Sequence, residues 1–198
     1  AFRARDLGLD RGMIGAYGHD DRVCAYTQLM AEIGAKNPAH TTVTVFADKE
    51  EVGSDGVTGL HSHFLIDFIE DLAQAGGKEL RHVLRASACL SADVNVAYDP
   101  AFADVSEKNN CAYLGYGPVL TKYTGSGGKS STNDAPAEFV AFVEGILEEN
   151  GVTWQTGELG KVDQGGGGTV AKYVSHFNVD TVDIGVAVLS MHAPFEVI

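Results

Sequence analysis

Positive charge is scarce in this chain. Lys and Arg number 14 against 27 Asp and Glu, for a formal net charge of −13. So acidic a surface repels phosphate backbones, which argues against nucleic acid as a partner. Cysteine is scarce too. Cys24, Cys89 and Cys111 form no Cys-x-x-Cys pair, so neither a structural zinc knuckle nor a disulfide framework is expected, and the thiols read as reduced. No stretch approaches the roughly 18 apolar residues of a membrane span. The opening residues, Ala1-Phe2-Arg3-Ala4-Arg5-Asp6, lack the apolar centre of a secretory leader. Together these absences lead us to expect a cytoplasmic protein with no membrane partner. No repeat or linker divides the 198 residues, so one domain is expected.

What is present suits an ordinary core: 44% of residues are hydrophobic and 21% charged. Apolar spacing predicts helices over about 20–35, 58–75, 79–84, 133–149 and 165–177. Asn37-Pro38 and Gly76-Gly77 stop the first two. Thr132-Asn133-Asp134 offers caps for the fourth, with Pro136 in its first turn. Strands are expected over 41–48, 86–92, 117–123, 152–155 and 179–190, the second of them central and packed on both faces. Strands alternating with helices imply an α/β domain: three layers, with a mixed, largely parallel central sheet between helices. Such sheets bind ligands beyond the carboxyl ends of their strands.

Chemistry-bearing residues fall at those ends. Thr41 to Ala47 is β-branched and apolar, and it runs into Asp48-Lys49-Glu50-Glu51-Val52-Gly53-Ser54. Adjacent acids at a strand end are placed to do two jobs. One binds a metal ion while the other takes a proton from a metal-bound water. Asp20, Asp93 and His192 stand at other predicted element ends. Bound dications would also offset part of the negative charge.

These residues lie in stretches that resemble the aspartyl aminopeptidase and aminopeptidase I family of dinuclear zinc exopeptidases. The matching stretches are 15–22, 50–54, 91–95, 130–134, 165–168 and 190–196, in the family's order and across nearly the whole chain. The resemblance implies a zinc-exopeptidase-like fold and hydrolytic removal of N-terminal residues, acidic or neutral, from peptides. It implies that Asp20 bridges two zinc ions, that Glu51 and His192 complete one ion's protein ligands, that Asp93 binds the other, and that Glu50 is the general base.

Two departures stand out. The family's His-x-Asp segment and its inserted dimerisation domain have no counterpart here, so residues 1–198 read as a portion of a catalytic domain. Two zinc ions and a homo-oligomer are accordingly expected for the full-length protein, and one ion or none for this segment alone. Val96 stands where relatives carry a histidine. A metal-poor, inactive member of the same fold is therefore the competing reading.

Other polar runs invite roles. Lys122 and Lys129 are expected to face a substrate carbonyl or carboxylate from a loop at 125–130. Gly166 and Gly167 are expected to form a pocket wall, with Glu158 and Asp163 holding a substrate α-ammonium group. His61 and His63 read as helix-surface residues. Gly125-Ser126-Gly127-Gly128-Lys129-Ser130 also suggests half of a phosphate-binding P-loop, although Tyr123 replaces its first glycine. A nucleotide-binding domain is thus a third reading.

Overall fold

The computed structural model describes residues 3–126, 130–161 and 163–198. Its elements, in chain order, are β1 (Arg5–Leu7), β2 (Met13–Ala16), α1 (His19–Gly34), α2 (Phe64–Ala75), α3 (Leu80–Arg85), β3 (Ala88–Ser91) and β4 (Asn95–Val96). They continue with β5 (Val119–Thr121), β6 (Tyr123–Ser126), β7 (Ser130–Asp134), α4 (Ala137–Glu149), β8 (Gln155–Thr156), α5 (Ala171–Ser175), β9 (Asp180–Gly185), β10 (Ala187–Val188) and β11 (Glu196–Val197). Short 3-10 turns cover Glu50–Val52 and Pro100–Val105.

The central sheet runs β3-β9-β5-β8. β3 and β9 are parallel, as are β5 and β8, while β5 and β9 are antiparallel. The mixed α/β architecture is the expected one. Alternation along the strands decides what each face meets. Leu120 and Val182 project toward α4 and form a core with Ala135, Phe139 and Val143. Val119, one residue on, packs instead with Ala97, Ala112 and Ala187. α5 lies against β9, β3 and β7.

A second sheet, β1-β2-β11, ties the two ends of the chain together. Its register sets Glu196 opposite Ala16 and Val197 opposite Gly15. β2 leads into Asp20, and β11 begins just after His192. Pairing these two strands therefore brings residues from opposite ends of the sequence to one place.

Several expectations need correction. The run 41–48 is no strand. It takes no regular structure and has no ladder partners among the described residues, and Val43, Val45 and Phe46 are exposed. Strand propensity measures fit to a pleated, half-buried surface, and a strand without a neighbour has no ladder to join. β3 lies at the sheet's margin rather than its centre, and Leu90 is exposed. The second helix begins at Phe64, so His61 sits in the preceding turn. The long last strand breaks at Val186, and its halves join different sheets.

On either side of 127–129, which lie outside the described residues, β6 and β7 pair antiparallel, with Ser126 opposite Ser130. Thr132-Asn133-Asp134 accordingly belongs to β7, and α4 starts after Pro136 with no side-chain cap. A P-loop must join a strand to a helix, so this pairing removes the nucleotide-binding reading. Lys129 lies outside the described residues.

Candidate metal centre

Asp20 enters the site from the start of α1, where Asp20 and Asp21 depart from helical geometry. Gly18, with φ of +72°, makes the turn from β2. Glu51 comes from the 3-10 turn Glu50–Val52, which Lys49 and Gly53 bracket in left-handed conformations. The Tyr173 hydroxyl donates to the Gly53 carbonyl at 2.9 Å and pins this turn to α5. His192 stands in the turn before β11 with φ of +65°.

These three side chains meet. His192 Nε2 lies 2.8 Å from Asp20 Oδ2 and 3.3 Å from Glu51 Oε1. One ligand atom from each falls within 4.8 Å of the others. Two carboxylate oxygens and an imidazole nitrogen, with room left for water, are the donor set of a catalytic zinc. The buried Asp20 carboxylate and the half-buried Glu50 crowd negative charge that a cation would relieve. The donor set therefore fits the ion.

The electrostatics point the same way. Burial, then the neighbouring Glu51, pushes the Asp20 carboxyl up to about 6, against a lowering pull from His192. Burial, with Glu51 next, also raises Glu50, and His192 and Lys172 oppose that shift. Asp93 stands outside the tight trio. Burial drives its carboxyl up to about 8, with Asp21, Glu50 and Asp20 adding to the effect. Asp93 is held from behind by close packing: a Cβ on Gly185 would fall 1.4 Å from its carbonyl oxygen.

A cavity of about 570 Å3 opens beside these groups. Asp20, Glu50, Glu51 and Asp93 line its acidic side, and Val43, Ile69 and Val174 are among its apolar walls. Lys122, Glu158, Asp163, Gly166 and Gly167 do not line it. Lys122 pairs with Asp134 across β6 and β7. Glu158 and Asp163 lie near Tyr123, whose hydroxyl they help to raise after burial. Gly166 packs against Gly160.

Two nearby residues are structural. Asp21 Oδ1 accepts the Cys24 N–H at 3.2 Å and so caps the regular part of α1. His19 is buried with Nε2 at 3.0 Å from the Ile14 carbonyl. Two residues escaped the sequence reading, Lys172, which lowers Glu50 as an opposing charge, and Glu196. Glu196 is only 2% exposed, and its carboxylate accepts the backbone N–H groups of both Asp20 and His192. Its one signal was its place four residues after His192.

Comparison with known proteins accords with this geometry. The family model described as aminopeptidase I zinc metalloprotease (M18) matches residues 1–198. The "Probable M18 family aminopeptidase 1" of Clostridium acetobutylicum is 49% identical over 201 residues, which is 100% of this chain and 43% of that protein. Its namesake in Thermotoga maritima is 48% identical over 202 residues, covering 100% of this chain and 45% of the other. The crystal structure of aminopeptidase I from Clostridium acetobutylicum superposes with a TM-score of 0.92 at 49% identity, covering 100% of this chain and 43% of that one. The S. cerevisiae mApe1 dodecamer aligns at 25% identity with a TM-score of 0.78, over 99% of this chain and 44% of that one. This chain thus spans less than half the length of the relatives it matches. With its whole length matched and its identity to the bacterial proteins near one half, the chain belongs to the aminopeptidase I (M18) family of zinc metalloproteases.

Proposed function

We propose that this chain supplies the metal-binding part of the catalytic domain of an aminopeptidase that hydrolyses acidic or neutral N-terminal residues from peptides. The observation that carries the reading is the meeting of Asp20, Glu51 and His192 within ligand distance, with Glu50 beside them and off the trio. Asp20, Glu51 and His192 would hold one zinc ion. Asp93, with Asp20 as a shared ligand, would hold a second in the full-length protein. Bound zinc supplies Lewis-acid polarisation and a water acidic enough to react near neutrality.

The chain's own residues do the rest. Glu50 takes a proton from the attacking water and returns it to the departing amine. Burial raises its pKa, the direction that strengthens it as a base for taking the proton from water. The cavity walls would receive the substrate's first side chain. Lys122, Lys129, Glu158, Asp163, Gly166 and Gly167 remain candidates for contacts beyond that point. By likeness to the dodecameric relative, the full-length protein is taken to be a homo-oligomer; its placement in the cytoplasm rests on the sequence reading alone.

The competing reading, an inactive fold with little metal, draws on Val96, which pairs with Val188 and offers no imidazole behind Asp93. One experiment separates the two: hydrolysis of aminoacyl-anilides by the zinc-loaded full-length protein and its Glu50→Gln variant. Removal of the base should lower kcat by about 10²–10⁴-fold with zinc content unchanged. Full activity in the variant would end the role given to Glu50. Zinc uptake without any hydrolysis by the unmutated protein would favour the inactive reading.

A further inference from the structure

We propose that Glu196 is a positioning residue: its buried carboxylate bridges the backbones of Asp20 and His192 and sets the spacing at which those two side chains hold a metal ion. The inference rests on the reading of Asp20 and His192 as ligands.

Three observations carry it. First, Glu196 is among the largest fully buried side chains of the protein. A buried carboxylate is costly unless its oxygens are bonded. Both are: Oε2 accepts the Asp20 N–H at 3.0 Å and Oε1 accepts the His192 N–H at 2.8 Å. Charge-assisted bonds of this kind are the stronger class.

Second, the N–H groups it holds belong to the ligand residues themselves. Asp20 has left helical geometry, with φ of −83° and ψ of 106°, and His192 has a positive φ of 65°. Both lie in irregular turns, where a buried N–H needs a partner from outside the turn. One side chain serves both turns across 176 positions of sequence to Asp20. The register of β11 on β2 puts Glu196 opposite Ala16 and so directs it to this place.

Third, the charge is wrong for a purely structural role. A neutral acceptor would satisfy N–H groups without adding to the acid cluster. Glu196 instead brings a further carboxyl group against the Asp20 backbone, beside the Asp20, Glu51 and His192 trio. That arrangement makes physical sense when a dication sits a few ångströms away, because outer carboxylates fix the ligands and deepen the potential that holds the ion.

The test uses the full-length protein with Glu196→Ala, Glu196→Gln and Asp20→Ala. Zinc affinity is read by competition with a chromophoric chelator, and site geometry by the visible spectrum of the cobalt-substituted form. Glu196→Ala should weaken zinc binding about 10–100-fold, the range typical for loss of an outer partner. Glu196→Gln, which keeps one acceptor oxygen and loses the charge, should weaken it less. Both should alter the cobalt spectrum. If Glu196→Ala fails to fold, Glu196→Gln decides by the same readings. Zinc affinity within twofold of the parent and an unchanged spectrum in the folded variants would overturn the proposal. If Asp20→Ala abolishes binding while the Glu196 variants bind as the parent does, only the bridging role falls. If Asp20→Ala also binds as the parent does, the metal-site reading falls with it.

Discussion

Glu50 and Glu51 are neighbours in sequence with different surroundings, and that difference suits them to the separate roles proposed for them, Glu51 as ligand and Glu50 as base. Glu51 reaches His192, whereas Glu50 is half buried and feels Lys172 as an opposing charge. Lys172 Nζ sits 4.8 Å from the Tyr173 ring centroid in the first turn of α5. A cation near a carboxylate favours its ionised form and lowers its pKa. Replacing Lys172 with Met should therefore raise the pKa of Glu50, so that more acid remains protonated at a given pH. Because the base must be ionised to act, the acid limb of the kcat/KM profile of the full-length protein should move to higher pH. A profile that stays in place would show that Lys172 does not act on Glu50. The acid pair was legible in the sequence only in company, because Asp20, Asp93 and His192 fall at other predicted element ends and all lie in stretches that resemble the family. Glu196 was not, since nothing separates it from a surface glutamate until the β2–β11 pairing buries it. Lys172 was missed because its approach to Glu50 depends on where α5 packs.

Among elements, legibility followed locality. α1 and α3 could be read nearly to their ends, and α4 to its C-terminal end, because helical spacing and stop signals are local. The pairing of β6 with β7 was missed, because it is the antiparallel partner, not local composition, that makes strands of 123–126 and 130–134. The run 41–48 has strand chemistry without a strand beside it. Its Thr42 and Thr44 hydroxyls donate instead to Glu32 at 2.7 and 2.9 Å. β9 shows the reverse, a strand whose partners on both sides set the site. At its end Gly185 lets the Asp93 backbone approach where any side chain would collide. Gly185→Ala should destabilise the protein by about 1–3 kcal/mol or more through overpacking and should displace Asp93. Gly145→Ala, in the open middle of α4 with nothing within 4 Å of the added carbon, should stabilise by up to ~1 kcal/mol. Urea midpoints of the two variants check the pair, and equal shifts would contradict the close-packing account of Gly185.

At the scale of the whole molecule, the acid cluster couples stability to pH. Asp20 and Asp93 are raised to about 6 and about 8 in the fold, and Asp21 and Glu50 are also raised, in each case chiefly by burial. Carboxyls of the unfolded chain titrate near about 4. Between those values the folded state holds protons that the unfolded state has released, so stability falls as pH rises. The contribution of these groups is full below about pH 4 and is lost progressively as pH passes through about 6 and then 8. The metal-free protein should accordingly melt at a lower temperature at pH 8.5 than at pH 5.5. Zinc should reverse that order, since it binds the deprotonated ligands. Metal-free melting temperatures that rise over the same interval would contradict the burial of these acids.

The sequence by itself determined the alternation of strands and helices, the mixed α/β class and which acids and histidine stand as candidates for the chemistry. Those features follow from local spacing and residue type. The tertiary structure alone decided which of them meet. Asp20, Glu51 and His192 converge because β2 pairs with β11 and α5 holds the Glu50–Val52 turn, and both contacts join residues distant in the chain. Burial, which turns Glu196 from a surface acid into a bridge and raises Asp93 so far, is likewise a property of packing between elements and is encoded in no single stretch.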